Sequence, residues 1–310
     1  MTSMKLNAAV YNHIGRRLNN EDNFYINGSY MEREQMDKGG LFQKCFTDPI
    51  QIYAVCDGMG GAEIGEDVSY YTVTRLKHYQ SECAQPDSSV YMEDFIAKTS
   101  DEIDQRAMAR KLKSGSTGST LTMLIFNEGY VRAAHVGDSR AYLLRGGRLE
   151  RLTKDHSEVQ RMIDLGELSE AEARHHERLN QITRHLGMPA GEVVVTPEMG
   201  RRDEIRRGDR YLLCSDGLSD PVDDATIGRI LAGASDATEA VHHLVKEALG
   251  QGGSDNITAL CVFVEEAGAS SGVERIRRAR ALRKALIAGI LCAAAGIAYM
   301  IFDIGMNVLR

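Results

Sequence analysis

Apolar and polar residues alternate along most of the first 265 positions, and turn-forming glycines break the alternation into short runs. The runs at 6–13, 23–26, 50–56, 119–126, 130–136, 140–144, 210–214 and 257–264 have the period-two or continuous apolar character of half-buried and buried strands. Tight turns such as Asn127-Glu128-Gly129 and Arg145-Gly146-Gly147 join several of them, which favours antiparallel hairpins over parallel crossovers. Helical periodicity recurs over 65–79, 91–112, 223–232 and 236–249. Hairpins and helices are grouped rather than alternating. The pattern therefore predicts an α+β fold of antiparallel sheets flanked by helices, not a doubly wound sheet. The polar, His-rich stretch 155–187 reads as a helical lobe over one edge, and 30–46 as a longer hairpin loop.

The pattern changes after residue 266. A small-residue linker at 267–272 leads into Arg275, Arg277, Arg278, Arg280, Arg283 and Lys284, and then into 285–302, which carry no charge. At about 1.5 Å per residue such a helix spans most of a ~30 Å hydrocarbon layer. The expectation is one large domain at 1–266, a linker and basic juxtamembrane segment at 267–284, a membrane helix in contact with lipid at 285–302, and a short extracytoplasmic tail at 303–310. The basic flank puts the large domain on the cytoplasmic side of a cell membrane. The alternative is a helix that packs on the domain or on another copy of itself. No charged-then-apolar signal segment opens the chain.

Composition narrows the class. With 43% apolar and 26% charged residues among 310, the chain is ordinary for a globular protein. Residues 274–310 hold seven of the basic and two of the acidic residues, which leaves a net −12 on the rest and argues against a nucleic-acid partner. The six cysteines form no CxxC pair and sit mostly in apolar runs, so neither a disulfide framework nor a zinc site is expected.

The candidate chemistry lies at the ends of the strand-like runs. Glu21-Asp22, Asp57-Gly58, Asp216-Gly217 and Asp255-Asn256 each put a carboxylate where a run begins or stops. One Asp-Gly is usually a turn. Several carboxylates brought to one rim would repel each other unless cations neutralised them, and hard ions such as Mg2+ and Mn2+ prefer such oxygen ligands. Two such ions lower the pKa of a water and stabilise in-line displacement at phosphorus, so the simplest chemistry is hydrolysis of a phosphate ester. Arg17, on the segment leading to Asp22, offers a guanidinium fork for phosphate oxygens.

Taken together, Arg17-Leu18-Asn19-Asn20-Glu21-Asp22, Asp57-Gly58-Met59-Gly60-Gly61, Gly118-Ser119-Thr120-Leu121, Gly137-Asp138-Ser139-Arg140, Ser215-Asp216-Gly217-Leu218 and Ser254-Asp255-Asn256-Ile257 resemble the metal-dependent type 2C serine/threonine protein phosphatases in their bacterial form. The resemblance covers about residues 5–265. It implies a four-layer α-β-β-α sandwich with a binuclear Mn2+ or Mg2+ centre at one end, and phosphoserine and phosphothreonine proteins as substrates of a signalling enzyme opposed to a cognate Ser/Thr kinase. By position it implies that Asp57 bridges both ions, that the Gly58 carbonyl binds one, and that Asp216 and Asp255 hold the other. Asp22 would act through a metal-held water, Arg17 would grip the phosphate, and Asp138 with Asp216 would hold a third, weaker ion. Glu21 and Asn256 would support these groups from behind. Where the eukaryotic branch has a histidine, a candidate general acid, this chain has Met59, so no side-chain acid is assigned. The stretch 155–187 falls where the family carries its flap. His13, His135, His156 and His185 read as core or flap residues, and Cys56 and Cys214 as small buried hydrophobes. The competing reading is a degenerate, non-catalytic binding module, which need not bind the ion.

Overall fold

The computed structural model describes residues 4–60, 64–83, 85–174 and 176–268. The chain opens with strands β1 (Met4–His13), β2 (Asp22–Ile26) and β3 (Ser29–Tyr30), a 3-10 turn at Arg33–Lys38, then β4 (Gly40–Phe46) and β5 (Ile50–Met59). Helices α1 (Ile64–Glu82) and α2 (Ser89–Ala109) follow. A meander comes next, of β6 (Gly118–Ser119), β7 (Leu121–Asn127), β8 (Tyr130–Val136), β9 (Arg140–Arg145) and β10 (Arg148–Arg151). The lobe at 155–187 contains the short helices α3 (Glu158–Asp164) and α4 (Glu170–Ala173), as its polar pattern predicts. Beyond it lie β11 (Glu198–Met199), β12 (Asp203–Glu204), β13 (Arg210–Cys214), α5 (Asp216–Ser219), α6 (Asp224–Gly233), α7 (Ala237–Gly250) and β14 (Ile257–Ala267).

The strands form two antiparallel sheets. One runs β10-β9-β13-β14-β1-β4; the other runs β11-β8-β7-β5-β2-β3, with β12 added on β8 and β6 on β5. Alternating side chains of each strand enter different apolar layers. Ala8, Val10, Tyr53, Val55, Leu124, Leu213 and Leu260 meet between the sheets. Their neighbours Ile52, Ala54 and Cys56 turn outward onto Val73 and Leu76 of α1 and Ile96 of α2. On the other side, Ala9, Leu212, Cys214 and Cys261 pack against Val241, Leu244 and Val245 of α7. Three apolar layers separate four layers of secondary structure, the predicted α-β-β-α sandwich, and burial on both faces explains why several strands read as continuous apolar runs. Cys56 and Cys214 are fully buried, as their setting predicts.

Three expectations need correction. Residues 30–46 are not a hairpin loop: after the 3-10 turn, β4 crosses to the other sheet and pairs along β1 from Leu6↔Phe46 to Asn12↔Gly40. Its pattern hid the strand, because Leu41 to Cys45 are all exposed on this edge. The second helix stops at Ala109 rather than 112, because Lys111 takes a left-handed conformation (φ 63°) that ends the helical path. The last strand runs to Ala267, one residue past the expected domain end. Among the described residues no helix is long and apolar enough to cross a membrane. The expected membrane helix at 285–302, most of the basic linker and the tail lie outside the described residues.

Candidate metal centre

Sheet pairing brings the acidic positions to one end of the sandwich. Asp22 opens β2 and stands opposite Asp57 of β5 in the ladder. Asp216 follows β13, which pairs with β14, and Asp255 lies just before β14. Asp138 occupies the turn between β8 and β9. Each of these strands ends at the same rim, so residues more than 230 positions apart act on one another.

A buried polar network beneath the rim holds Asp22. The hydroxyls of Ser215 and Thr258 both donate to its Oδ2, at 2.6 and 2.7 Å. Thr258 in turn accepts from Asn12 Nδ2 at 2.9 Å, and Asn20 Nδ2 donates to Asn12 Oδ1 at 2.6 Å. The other carboxylate oxygen, Oδ1, is buried with no hydrogen-bond partner among the described residues. Burial first, and then the charges of Asp216 and Asp255, push the Asp22 carboxyl up to about 7 against the donation of the two hydroxyls.

Asp57 is held through its backbone. Its N–H donates to Thr120 Oγ1 at 2.9 Å, and the Thr120 N–H donates to its carbonyl at 2.8 Å. Burial, with repulsion from Asp22, Asp216, Asp138 and Asp255, puts its carboxyl well above the usual range. Burial and the same kind of repulsion raise Asp138, whose Oδ1 is likewise buried without a partner, and lift Asp216 to about 6. Glycines permit this crowding. A Cβ on Gly58 would lie 2.0 Å from the Gly65 carbonyl oxygen, and one on Gly217 would lie 1.9 Å from the Asn256 carbonyl oxygen.

The loop that carries Arg17 is tied down by the residue before β14, the strand that pairs with β1. Asn256 donates through Nδ2 to the carbonyls of Ile14 and Asn19, at 2.9 and 3.0 Å, and accepts the Glu21 N–H at 2.8 Å. Asn20 N–H is held by Asp37 at 2.9 Å, so the 3-10 turn of residues 33–38 braces this loop. Arg17 reaches Asp255 at 2.6 Å with more than half of its side chain exposed, which suits a cation waiting at the rim. Glu21 does not enter the pairings of the acidic cluster. Its carboxylate lies under Gly65, where a Cβ would sit 2.7 Å from its Cδ, and burial raises its pKa.

All the positions expected from the sequence therefore meet at one end, with Glu21 and Asn256 behind them. Sequence reading missed Asn12, Ser215, Thr258, Thr120 and Asp220. The first four left a signal: polar residues within apolar strands (Asn12, Thr258) or directly beside one (Thr120, Ser215), each of them fully buried. Asp220 lies one turn beyond Asp216, and burial followed by the Asp216 charge lifts its carboxyl to about 7.

These carboxylates destabilise one another by charge, and two buried oxygens lack partners. Divalent cations with oxygen ligands remedy both, so the donor set fits such ions. Among the described residues, the set of three or more possible ligands whose ligand atoms all lie within 4.8 Å of one another is His135, His156 and Glu198, which includes none of the aspartates. There His135 Nε2 is bonded to the Lys154 carbonyl, His156 Nδ1 accepts from Gly137 N–H, and the Arg184 guanidinium stands 3.4 Å from His156 Nε2. A cation would meet that positive charge. Burial, His135 and Arg184 pull His156 down to about 3, so its 3.5 Å approach to Glu198 is not an ion pair at neutral pH. The cluster is a latch between β8 and the start of the lobe, in keeping with a core role for both histidines.

Comparison with known proteins points the same way. A family model described as protein phosphatase 2C matches residues 27–257. That range begins after Arg17 and Asp22, which rest on the geometry above. The serine/threonine protein phosphatase PstP of Mycobacterium tuberculosis is 36% identical over 214 residues, 69% of this chain and 40% of PstP, so this chain spans well under two thirds of that relative. Serine/threonine phosphatase stp of Listeria innocua is 34% identical over 229 residues, 73% of this chain and 88% of stp. Among solved structures, the catalytic domain of PstP in complex with two manganese ions matches with a TM-score of 0.68 at 32% identity, covering 85% of this chain and 100% of that one.

Proposed function

The chain belongs to the protein phosphatase 2C family, and from that premise we propose that it hydrolyses phosphoserine and phosphothreonine on proteins where Asp22, Asp57, Asp138, Asp216 and Asp255 converge. The observation that carries the reading is the set of five acids from five segments, two of them with a buried oxygen lacking a partner. Asp57, the Gly58 carbonyl, Asp216 and Asp255 would hold two Mn2+ or Mg2+ ions, and Asp138 with Asp216 a third, weaker one. Such ions neutralise charge at phosphorus and make a water acidic enough to attack near neutral pH.

The chain's own groups do the rest. Arg17 presents a planar pair of donors to two phosphate oxygens from a loop that Asn256 keeps rigid. Asp22, anchored through Oδ2, keeps Oδ1 as an acceptor that orients water. With Met59 following Asp57-Gly58, no side chain is assigned as proton donor, and the departing alkoxide takes its proton from solvent in the site. Phosphate release from a phosphothreonine peptide with Mn2+ tests the reading: wild type should turn over and Asp57→Asn should fall to background. No activity on any phosphopeptide, or full activity in Asp57→Asn, would overturn it.

The uncharged stretch 285–302 behind its basic flank supports a single membrane-spanning tether with the catalytic end in the cytoplasm. A Ser/Thr kinase and its substrates at the inner membrane surface are then the partners. Residues 1–272 should be soluble and active while the full chain partitions with membrane. Full-length protein in the soluble fraction after gentle lysis would count against the tether.

A further inference from the structure

Next to the phosphate clamp stands a residue that folding leaves bare. Leu18 is 94% exposed, the most exposed large hydrophobic side chain among the described residues, ahead of Val194 at 79%. A single exposed leucine on a mobile surface loop would need no explanation. This one is held on a loop with unusual restraint. Asn256 grips the backbone on both sides of it, at Ile14, Asn19 and Glu21. Arg16 N–H donates to the Gly253 carbonyl at 2.9 Å, Gly15 N–H to His13 Nδ1 at 2.9 Å, and Asn20 N–H to Asp37 at 2.9 Å. Gly15 itself cannot carry a side chain, because a Cβ there would lie 1.9 Å from the Asp255 carbonyl oxygen. The backbone is thus fixed at both ends, and Leu18 gives nothing to the core.

Its neighbour Arg17 turns toward Asp255 at the acidic rim. Consecutive Cα atoms are about 3.8 Å apart, and an extended peptide advances about 3.3 Å per residue. A peptide whose phosphate sits on Arg17 would have the side chains one or two residues away within a few such steps of the Leu18 position. Because the loop is already rigid, covering the leucine costs little ordering, and the gain from removing its apolar surface from water goes into binding.

Resting on the phosphatase reading above, we infer that Leu18 is a specificity-determining residue that contacts an apolar side chain within two residues of the phosphorylated serine or threonine. The partner chemistry is a phosphopeptide with an aliphatic residue beside the phosphate. Recognition acts on peptide capture rather than on phosphorus, so it is read mainly in KM.

The test measures full-length protein with Mn2+ on phosphothreonine peptides that carry leucine or serine at each of the two positions on either side, with p-nitrophenyl phosphate to normalise. At one flanking position, wild type should prefer leucine by roughly tenfold in kcat/KM, carried by KM. Leu18→Ser should bring that ratio to about one, and Leu18→Met, which keeps an apolar side chain, should retain most of it. No leucine preference in wild type, or a preference unchanged in Leu18→Ser, overturns the inference while p-nitrophenyl phosphate turnover leaves the phosphatase reading standing. A wild type that releases phosphate from neither substrate class overturns that reading, and this inference with it.

Discussion

Asp22 and Asp57 face each other directly across the antiparallel ladder of β2 and β5, with Asn23↔Cys56 and Phe24↔Val55 continuing the same register. Two acids in that relation are a liability for a strand pair unless something positive joins them, since like charges directly opposite weaken a sheet. Their placement thus stores electrostatic strain at one end of the sandwich.

Removing one charge should stabilise the metal-free protein. Asp57→Asn, treated with chelator, should melt roughly 2–6 °C above chelated wild type, the shift expected from about 1–2 kcal/mol in a domain of this size. Saturating Mn2+ should raise the wild-type Tm, by about 2.7 kcal/mol of stability at a hundredfold excess over Kd, and should leave the variant nearly unmoved. Thermal melts with and without Mn2+ check both signs.

The pH dependence follows from the raised carboxyls. Asp22 stands at about 7 against an ordinary 3.8, and Asp216 at about 6. An acid raised on folding favours the fold while it is protonated. Its contribution is complete below the ordinary value and is lost as pH rises through 6 to 7. Relative to Asp22→Asn, chelated wild type should therefore lose stability between about pH 4 and pH 7, and Mn2+, which binds the ionised carboxylates, should remove that loss. Melts of both proteins across the window would show the gap closing, rather than opening, if the assignment were wrong.

Asn256 makes three hydrogen bonds to the loop that carries Arg17. Asn256→Ala should cost about 2–4 kcal/mol in urea denaturation, with three backbone groups losing their partner. It should also raise KM for p-nitrophenyl phosphate more than it lowers kcat, because Arg17 is no longer held in place. An unchanged KM would show that the loop keeps its shape without the latch.

Ser215 and Thr258 are the two donors that favour an ionised Asp22. Replacing them, by Ser215→Ala with Thr258→Val, should push the Asp22 carboxyl higher still and weaken Mn2+ binding at neutral pH. The drop should be roughly ten- to a hundredfold, typical of lost support behind a metal site. Calorimetric titration gives the affinity. Repeating it near pH 8.5 should recover part of the loss, since hydroxide removes the extra proton.

How much of this was legible in the chain depends on the range of the forces involved. Asp57-Gly58 and Asp216-Gly217 were visible because an apolar run followed by an acid and a glycine is a local pattern, set by strand burial and turn chemistry. The expected strands were found with end shifts of a few residues for the same reason. Strand β4 was not visible, because Leu41 to Cys45 are all exposed and the strand it pairs with, β1, lies 28 to 40 positions earlier. The hydroxyls of Ser215 and Thr258 were passed over because nothing within ten residues of either shows that Asp22 lies beside them.

The sequence by itself determined the layers, the acids at the strand ends, Arg17 as a candidate clamp and Met59 in place of a side-chain acid. The strands, helices and acids are matters of residue type, periodicity and short-range spacing, and the four layers and the meaning of Met59 come from the family resemblance those motifs carry. Only the tertiary structure decided that Asp22 meets Ser215 and Thr258 across the two sheets, that Asn256 ties down the Arg17 loop, and that Leu18 is left bare beside it. Those relations join residues between 193 and 242 positions apart or rest on what no other segment covers. The first pairing exists only once two sheets have packed face to face, and the second only once β14 has paired with β1 from the far end of the chain.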